Sequence, residues 1–234
     1  MHIEKYKVII FDLDDTLFDY SKTEKYAVEN ATHNLFCDLD LNNVYSFYLK
    51  ANSIAKETLP KGDINHKNLE YFRSERTKIF FDLLEVKYQP SDVKQFITDY
   101  LSYSHKGFLI KGVHRVVKAL KDKIIVVASN GSIEPRLNKL EGSSIKRFVN
   151  YFFCSEQLNI SKPDSKFFDT IIEEIGAKKE EVLTVGNNFE IDYLAAVNSG
   201  LDVCLIKNKA KKYIPTGDYS KAFVLNNITD LLTI

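Results

Sequence analysis

Asp12, Asp14 and Asp15 crowd into one short segment, Asp12-Leu13-Asp14-Asp15-Thr16-Leu17, directly after the apolar run YKVIIF at 6–11. Three neighbouring carboxylates repel one another, and gathering them is costly unless a cation or a set of donors compensates. A hard divalent ion held by oxygen ligands is the natural compensation, and magnesium usually keeps company with phosphate. Taken alone, such a segment is more often an acidic strand-to-helix turn with Asp15 or Thr16 as the N-cap. Its position favours chemistry. A short apolar run that stops at acidic residues reads as a buried parallel strand, and ligands of open α/β sheets gather at the carboxyl ends of strands.

The elements that must position these carboxylates follow from the rest of the chain. Further short apolar runs lie at 123–128 (KIIVVA), 151–154 (YFFC), 181–185 (EVLTV) and 202–206 (DVCLI). Between them are segments of helical length, such as 164–175, with Phe167, Phe168, Ile171, Ile172 and Ile175 at helical spacing. This alternation predicts an α/β fold with a doubly wound parallel sheet. Residues 20–105 break the rhythm, because no buried-strand run occurs there. Val44, Phe47, Tyr48, Ala51, Ile54 and Ala55 form one helical stripe, and Val93, Phe96, Ile97, Tyr100 and Leu101 another. A third helix carries Leu69, Phe72, Ile79, Phe80 and Leu83. The pattern predicts an all-helical insert, divided at Pro60-Lys61-Gly62-Asp63.

Three more polar segments close the apolar runs or follow them in order. Ser129-Asn130-Gly131 comes after 123–128, Lys162-Pro163-Asp164 precedes Phe167, and Gly186-Asn187-Asn188-Phe189-Glu190-Ile191-Asp192 follows 181–185. Singly, a Ser-Asn-Gly is a turn and a Lys-Pro pair a solvated loop. In this order, after Asp12-Leu13-Asp14-Asp15-Thr16, they resemble the four motifs of the haloacid-dehalogenase superfamily over residues 6–206. The resemblance implies a Rossmann-like core at 1–19 and 106–234 with a helical cap at 20–105. It implies that Asp12 attacks phosphorus to form an aspartyl-phosphate and that Asp14 serves as general acid, then base. Ser129 and Lys162 would stabilise the phosphoryl charge, and backbone around Asn130 and Gly131 would cradle it. Magnesium would be held by Asp12, Asp14, Asn187 and Asp192. One position departs from the pattern: the fourth motif usually begins Gly-Asp, and here Asn187 brings an amide oxygen without a charge.

Phe18-Asp19-Tyr20, Ser129-Asn130-Gly131 and Lys139-Leu140-Glu141 look most like the branch of pyrimidine 5′-nucleotidases and sugar-phosphate phosphatases. A cap goes with small phosphorylated metabolites, nucleoside monophosphates first and sugar phosphates next, and excludes a macromolecule. Tyr20 is expected to line the entrance. Arg76, near Arg73 on the third cap helix, is either a snorkelling cation or a contact to an anionic substrate group. The rivals are a dehalogenase, against which Asp14 argues, a phosphomutase, and a binding or regulatory relative weakened at Asn187.

Composition bounds the partners. The 234 residues carry 32 basic and 32 acidic side chains, so no bulk field draws a nucleic acid polymer. Cys37, Cys154 and Cys204 are scattered, without a CxxC pair, as in reduced proteins. With no signal-peptide h-region at the N-terminus and no run suited to a bilayer, a cytoplasmic protein is expected.

Overall fold

The computed structural model describes residues 2–59, 66–207 and 222–234. Its strands are β1 Val8–Phe11, β2 Ile124–Ser129, β3 Tyr151–Cys154, β4 Val182–Gly186, β5 Asp202–Ile206 and β6 Ala222–Leu225. Its α-helices are α1 Tyr20–Leu35, α2 Val44–Thr58, α3 His66–Leu83, α4 Pro90–Ser104, α5 Val113–Ala119, α6 Ile133–Glu141, α7 Ser155–Leu158, α8 Lys166–Glu174 and α9 Leu194–Asn198. The strands form one sheet in the order β3-β2-β1-β4-β5-β6, with every neighbouring pair parallel. The doubly wound sheet expected from the apolar runs is therefore present. Its sixth strand, Ala222–Leu225, is not one of those runs. It lies at the edge with Phe223 and Val224 exposed, so little apolar burial marks it in the sequence.

Side chains alternate across a strand, and a parallel sheet is covered on both faces. Along β1, Ile9 and Phe11 enter a core that includes Val113, Val116 and Val117 of α5. Val8 and Ile10 enter the opposite core with Phe167, Phe168, Ile171 and Ile172 of α8. Strand β1 is thus buried throughout, which fixes the position of whatever follows it. The strand order runs outward in opposite directions from β1 and β4, and ligand crevices form at such switch points. The N–H of Asp12 donates to the Val185 carbonyl at 2.8 Å, so Asp12 stands at this crevice beside the end of β4.

The chain divides into two compact units. One holds the sheet and runs up to Tyr20 and from Gly107 onward, and the other is Ser21–Lys106. The second unit is helical, and α2 packs along α3 and α3 along α4. Its core is aromatic: Tyr48 meets Phe80 edge to face at 5.5 Å, and Phe80 lies 5.3 Å from Phe96. Helix α4 starts at a reciprocal cap in which Gln89 and Asp92 satisfy each other's backbone donors, with Pro90 in the first turn. The break expected at Pro60–Asp63 falls outside the described residues. Among the described residues no helix is long and apolar enough to cross a membrane. All three cysteines are free, with Cys154 and Cys204 buried and Cys37 exposed.

Candidate active site

The loop after β1 is folded tightly. Leu17 and Phe18 both donate their N–H to the Leu13 carbonyl, and Asp15 donates to Phe18 O at 2.6 Å. Asp15 adopts a left-handed backbone with φ 62°, a conformation that aspartate tolerates better than most residues. This turn leaves Asp12 and Asp14 on the crevice side and buries Leu13, Thr16 and Leu17 beneath them.

Lys162 is the centre of the site. Its ammonium donates to Asp12 Oδ1 at 2.7 Å, to Asp192 Oδ1 at 2.7 Å and to the Ala128 carbonyl at 3.1 Å. All three of its protons are used, and the side chain is 2% exposed. Burial alone would pull this ammonium down, but the two carboxylates outweigh it and hold Lys162 charged. Burial pushes Asp12 up to about 7, Lys162 opposes that shift, and the charges of Asp192 and Asp14 add to it. A carboxylate in such a corner is held ionised more firmly by any further positive charge.

Asp192 reaches Lys162 from a π-helical turn, Phe189–Tyr193, whose N-cap Asn188 accepts from Ile191 N–H at 3.1 Å. Its other oxygen, Oδ2, accepts the N–H groups of Asn187 at 3.1 Å and Asn188 at 3.0 Å. Gly186 makes this possible, because a Cβ there would stand 2.5 Å from the Asp192 carboxylate. Asp192 was expected among the metal ligands, yet both of its oxygens are engaged within the protein. The amide oxygen of Asn187 accepts a long hydrogen bond from Thr16 Oγ1 at 3.4 Å. Glu190 is exposed.

The second motif also differs in detail from expectation. The Asn130 side chain clamps the backbone of Lys162, donating to its carbonyl at 2.8 Å and accepting from its N–H at 2.9 Å. It therefore positions Lys162. The Gly131 N–H, expected in the phosphate cradle, donates to Ser155 Oγ at 2.6 Å. What Gly131 supplies is space. Its φ is +113°, and a Cβ would collide with the Arg136 guanidinium. Arg136 Nε donates to Ser129 Oγ at 3.2 Å, and its Nη1 donates to the Ser132 carbonyl at 3.2 Å.

Two cations of α6, Arg136 and Lys139, were not assigned roles from the sequence. Lys139 Nζ donates to Asp14 Oδ1 at 2.6 Å. The available signal was their spacing: residues three apart on a helix share a face, and this helix starts just after Ser129. Tyr20 is 41% exposed, with its ring 6.0 Å from Lys139 Nζ. Arg76 belongs to the helical unit. It is neither solvated nor paired to an acid among the described residues, and it stacks on Tyr48 at 4.7 Å and Tyr100 at 5.6 Å.

A buried lysine shared by two carboxylates thus stands at the switch point of a parallel α/β sheet. The chain belongs to the haloacid dehalogenase-like hydrolase family, which matches residues 6–200. It is 27% identical over 201 residues to the pyrimidine 5′-nucleotidase PynA of Streptococcus pneumoniae, covering 84% of this chain and 82% of that protein. It is 26% identical over 235 residues to a glyceraldehyde 3-phosphate phosphatase of Methanocaldococcus jannaschii, covering 97% and 96% of the two chains. Among solved structures it resembles the HAD-hydrolase YfnB of Bacillus subtilis, determined bound to magnesium. There the TM-score is 0.78 at 20% identity, over 98% of this chain and all of that one.

Proposed function

We propose that the protein is a cytoplasmic, magnesium-dependent phosphomonoester hydrolase of small phosphorylated metabolites, nucleoside monophosphates ahead of sugar phosphates. The observation that carries this reading is the Asp12–Lys162–Asp192 bridge at the sheet's switch point, with a second acid, Asp14, two residues from Asp12.

In the first step Asp12 attacks phosphorus while Asp14 gives its proton to the leaving oxygen, whose bond to phosphorus breaks. In the second step water attacks the aspartyl-phosphate, Asp14 takes the water proton, and the bond to Asp12 breaks. Lys162 holds Asp12 in line and supplies fixed positive charge, and Ser129 donates to a phosphoryl oxygen. Asp192 and Asn130 keep Lys162 in place. Asp12, Asp14 and Asn187 would hold the metal, a set consistent with magnesium, which takes one or two carboxylates and keeps several waters. Among the described residues no three His, Cys, Asp or Glu side chains gather into a fuller cage. The elevated Asp12 supports a resident cation, since a divalent charge would restore its ionised form. When bound, the ion neutralises charge on the phosphoryl oxygens.

The nucleotidase and the glyceraldehyde 3-phosphate phosphatase among the relatives support a small phosphomonoester as substrate. Ser21–Lys106 would act as the cap, with Tyr20 at its entrance and Arg76 as a specificity contact. The test is phosphate release across nucleoside monophosphates, sugar phosphates and a phosphoprotein, with magnesium and with EDTA. Small esters should be cleaved only with the metal. Faster cleavage of the phosphoprotein, or halide release from 2-haloacids in place of phosphate release, would overturn the reading.

A further inference from the structure

Lys139 is a buried cation that the reaction above does not use. Its Nζ donates to Asp14 Oδ1 at 2.6 Å, and the two side chains are 8% and 25% exposed. The contact is built into the core unit. The lysine stem crosses Gly107, where a Cβ would stand 2.5 Å from Lys139 Cγ and 2.9 Å from the Phe18 ring. Gly107 also has φ +53°, so both its backbone and the close approach call for glycine. The ammonium lies 5.8 Å from the Phe18 ring centroid, which limits its swing on that side. The donor is thus confined by packing, and the acceptor by the tight turn after β1.

We propose that Lys139 is a positioning residue for the acid–base carboxylate: it holds Asp14 Oδ1, so that Oδ2 is the oxygen that passes the proton. This rests on the phosphohydrolase reading. In phosphoryl transfer to Asp12, Oδ2–H gives its proton to the leaving oxygen as that oxygen's bond to phosphorus breaks. In hydrolysis, Oδ2 takes a proton from the attacking water as the Asp12–phosphorus bond breaks. Without it, Asp14 loses its aim, and proton transfer to a leaving group depends on aim to within hydrogen-bond reach.

The role predicts a dependence on leaving group that a structural lysine would not give. Phosphorylation of Asp12 by p-nitrophenyl phosphate needs no proton, because the leaving phenolate is stable, whereas an alkyl phosphate needs one. In Lys139→Met, kcat/KM for the best alkyl phosphate of the panel should fall about 100-fold, and that for p-nitrophenyl phosphate by less than about threefold. A burst of p-nitrophenol should appear, since hydrolysis of the aspartyl-phosphate still needs Asp14. Lys139→Gln should show the same split, which keeps the test available if the methionine variant misfolds. In an Asp14→Asn background, Lys139→Met should add less than about twofold. Equal losses for both substrates, or additive losses in the double variant, would overturn the proposal and assign Lys139 to phosphate binding or folding. If Asp12→Asn kept its phosphatase activity, the underlying reading would fail instead.

Discussion

Lys162 and Arg76 are both buried cations, one in each unit, and their surroundings answer them in opposite ways. Lys162 spends its three protons on oxygens, two carboxylates and a carbonyl, with the Phe167 ring 5.9 Å from its ammonium. Arg76 meets rings, with Tyr48, Tyr100 and Phe72 at 4.7, 5.6 and 5.8 Å, and its buried Nε finds no acceptor among the described residues. Burial, and then the charge of Arg76, pulls the neighbouring Arg73 guanidinium down, and Tyr100, Tyr48 and Glu70 offset this only in part. Hydrogen bonds fix a charge to a point, whereas ring faces fix it only to a plane. The sheet unit therefore builds a pre-aimed electrostatic site, and the helical unit builds an aromatic core that tolerates a cation.

The sharpest way to break this contrast is to remove both charges. Lys162→Met leaves Asp12 and Asp192 buried and uncompensated, so it should destabilise the protein by about 3–5 kcal/mol in urea unfolding. It should also lower kcat by about a thousandfold or more. Arg76→Met removes cation–π contacts and one unpaired donor, and should change stability by no more than about 2 kcal/mol. Equal destabilisation by the two variants would erase the distinction.

A smaller effect is expected at Asn187, where the polar site carries one charge fewer than its family pattern. Asn187→Asp should lower the magnesium concentration for half-maximal activity, by about 1–3 kcal/mol in binding. If Asn187→Asp leaves metal dependence unchanged while Glu190→Gln destroys it, Glu190 is the ligand instead.

A further effect, confined to part of the pH range, is on stability without magnesium. Asp12 rises from 3.8 to about 7 in the fold, so the folded protein holds a proton that the unfolded chain releases. Stability is then lost as pH climbs from 3.8 toward 7, and the loss is complete above that. Asp12→Asn should raise the melting temperature of the EDTA-treated protein at pH 8, with the gain fading as the pH is lowered. A gain independent of pH would show that Asp12 is not strained by burial.

Much of the sheet was legible because a parallel strand buried on both faces leaves a compact apolar run, as in Val8–Phe11 and Ile124–Ser129. Strand β6 was not, since an edge strand with Phe223 and Val224 exposed lacks that signature. The motif residues were legible as types in order, but their hydrogen bonds were not. Asn130 turns inward to the Lys162 backbone, Gly131 gives its N–H to Ser155, and Asp192 accepts from Lys162 and from the Asn187 N–H. Which atom faces which depends on loops meeting across the sheet, and spacing along one chain does not carry that information. Lys139 reaches Asp14 from 125 positions away, so only the fold brings the pair together.

The central claim is that Asp12 carries the phosphoryl group, and a rapid-quench experiment with phosphorus-labelled substrate and magnesium tests it most directly. Wild type quenched in acid should yield a labelled peptide containing Asp12, with the label lost at alkaline pH as an acyl phosphate requires. Asp12→Asn should yield neither label nor turnover. A folded Asp12→Asn protein that still releases phosphate with magnesium, or a label found on any other residue, would contradict the account.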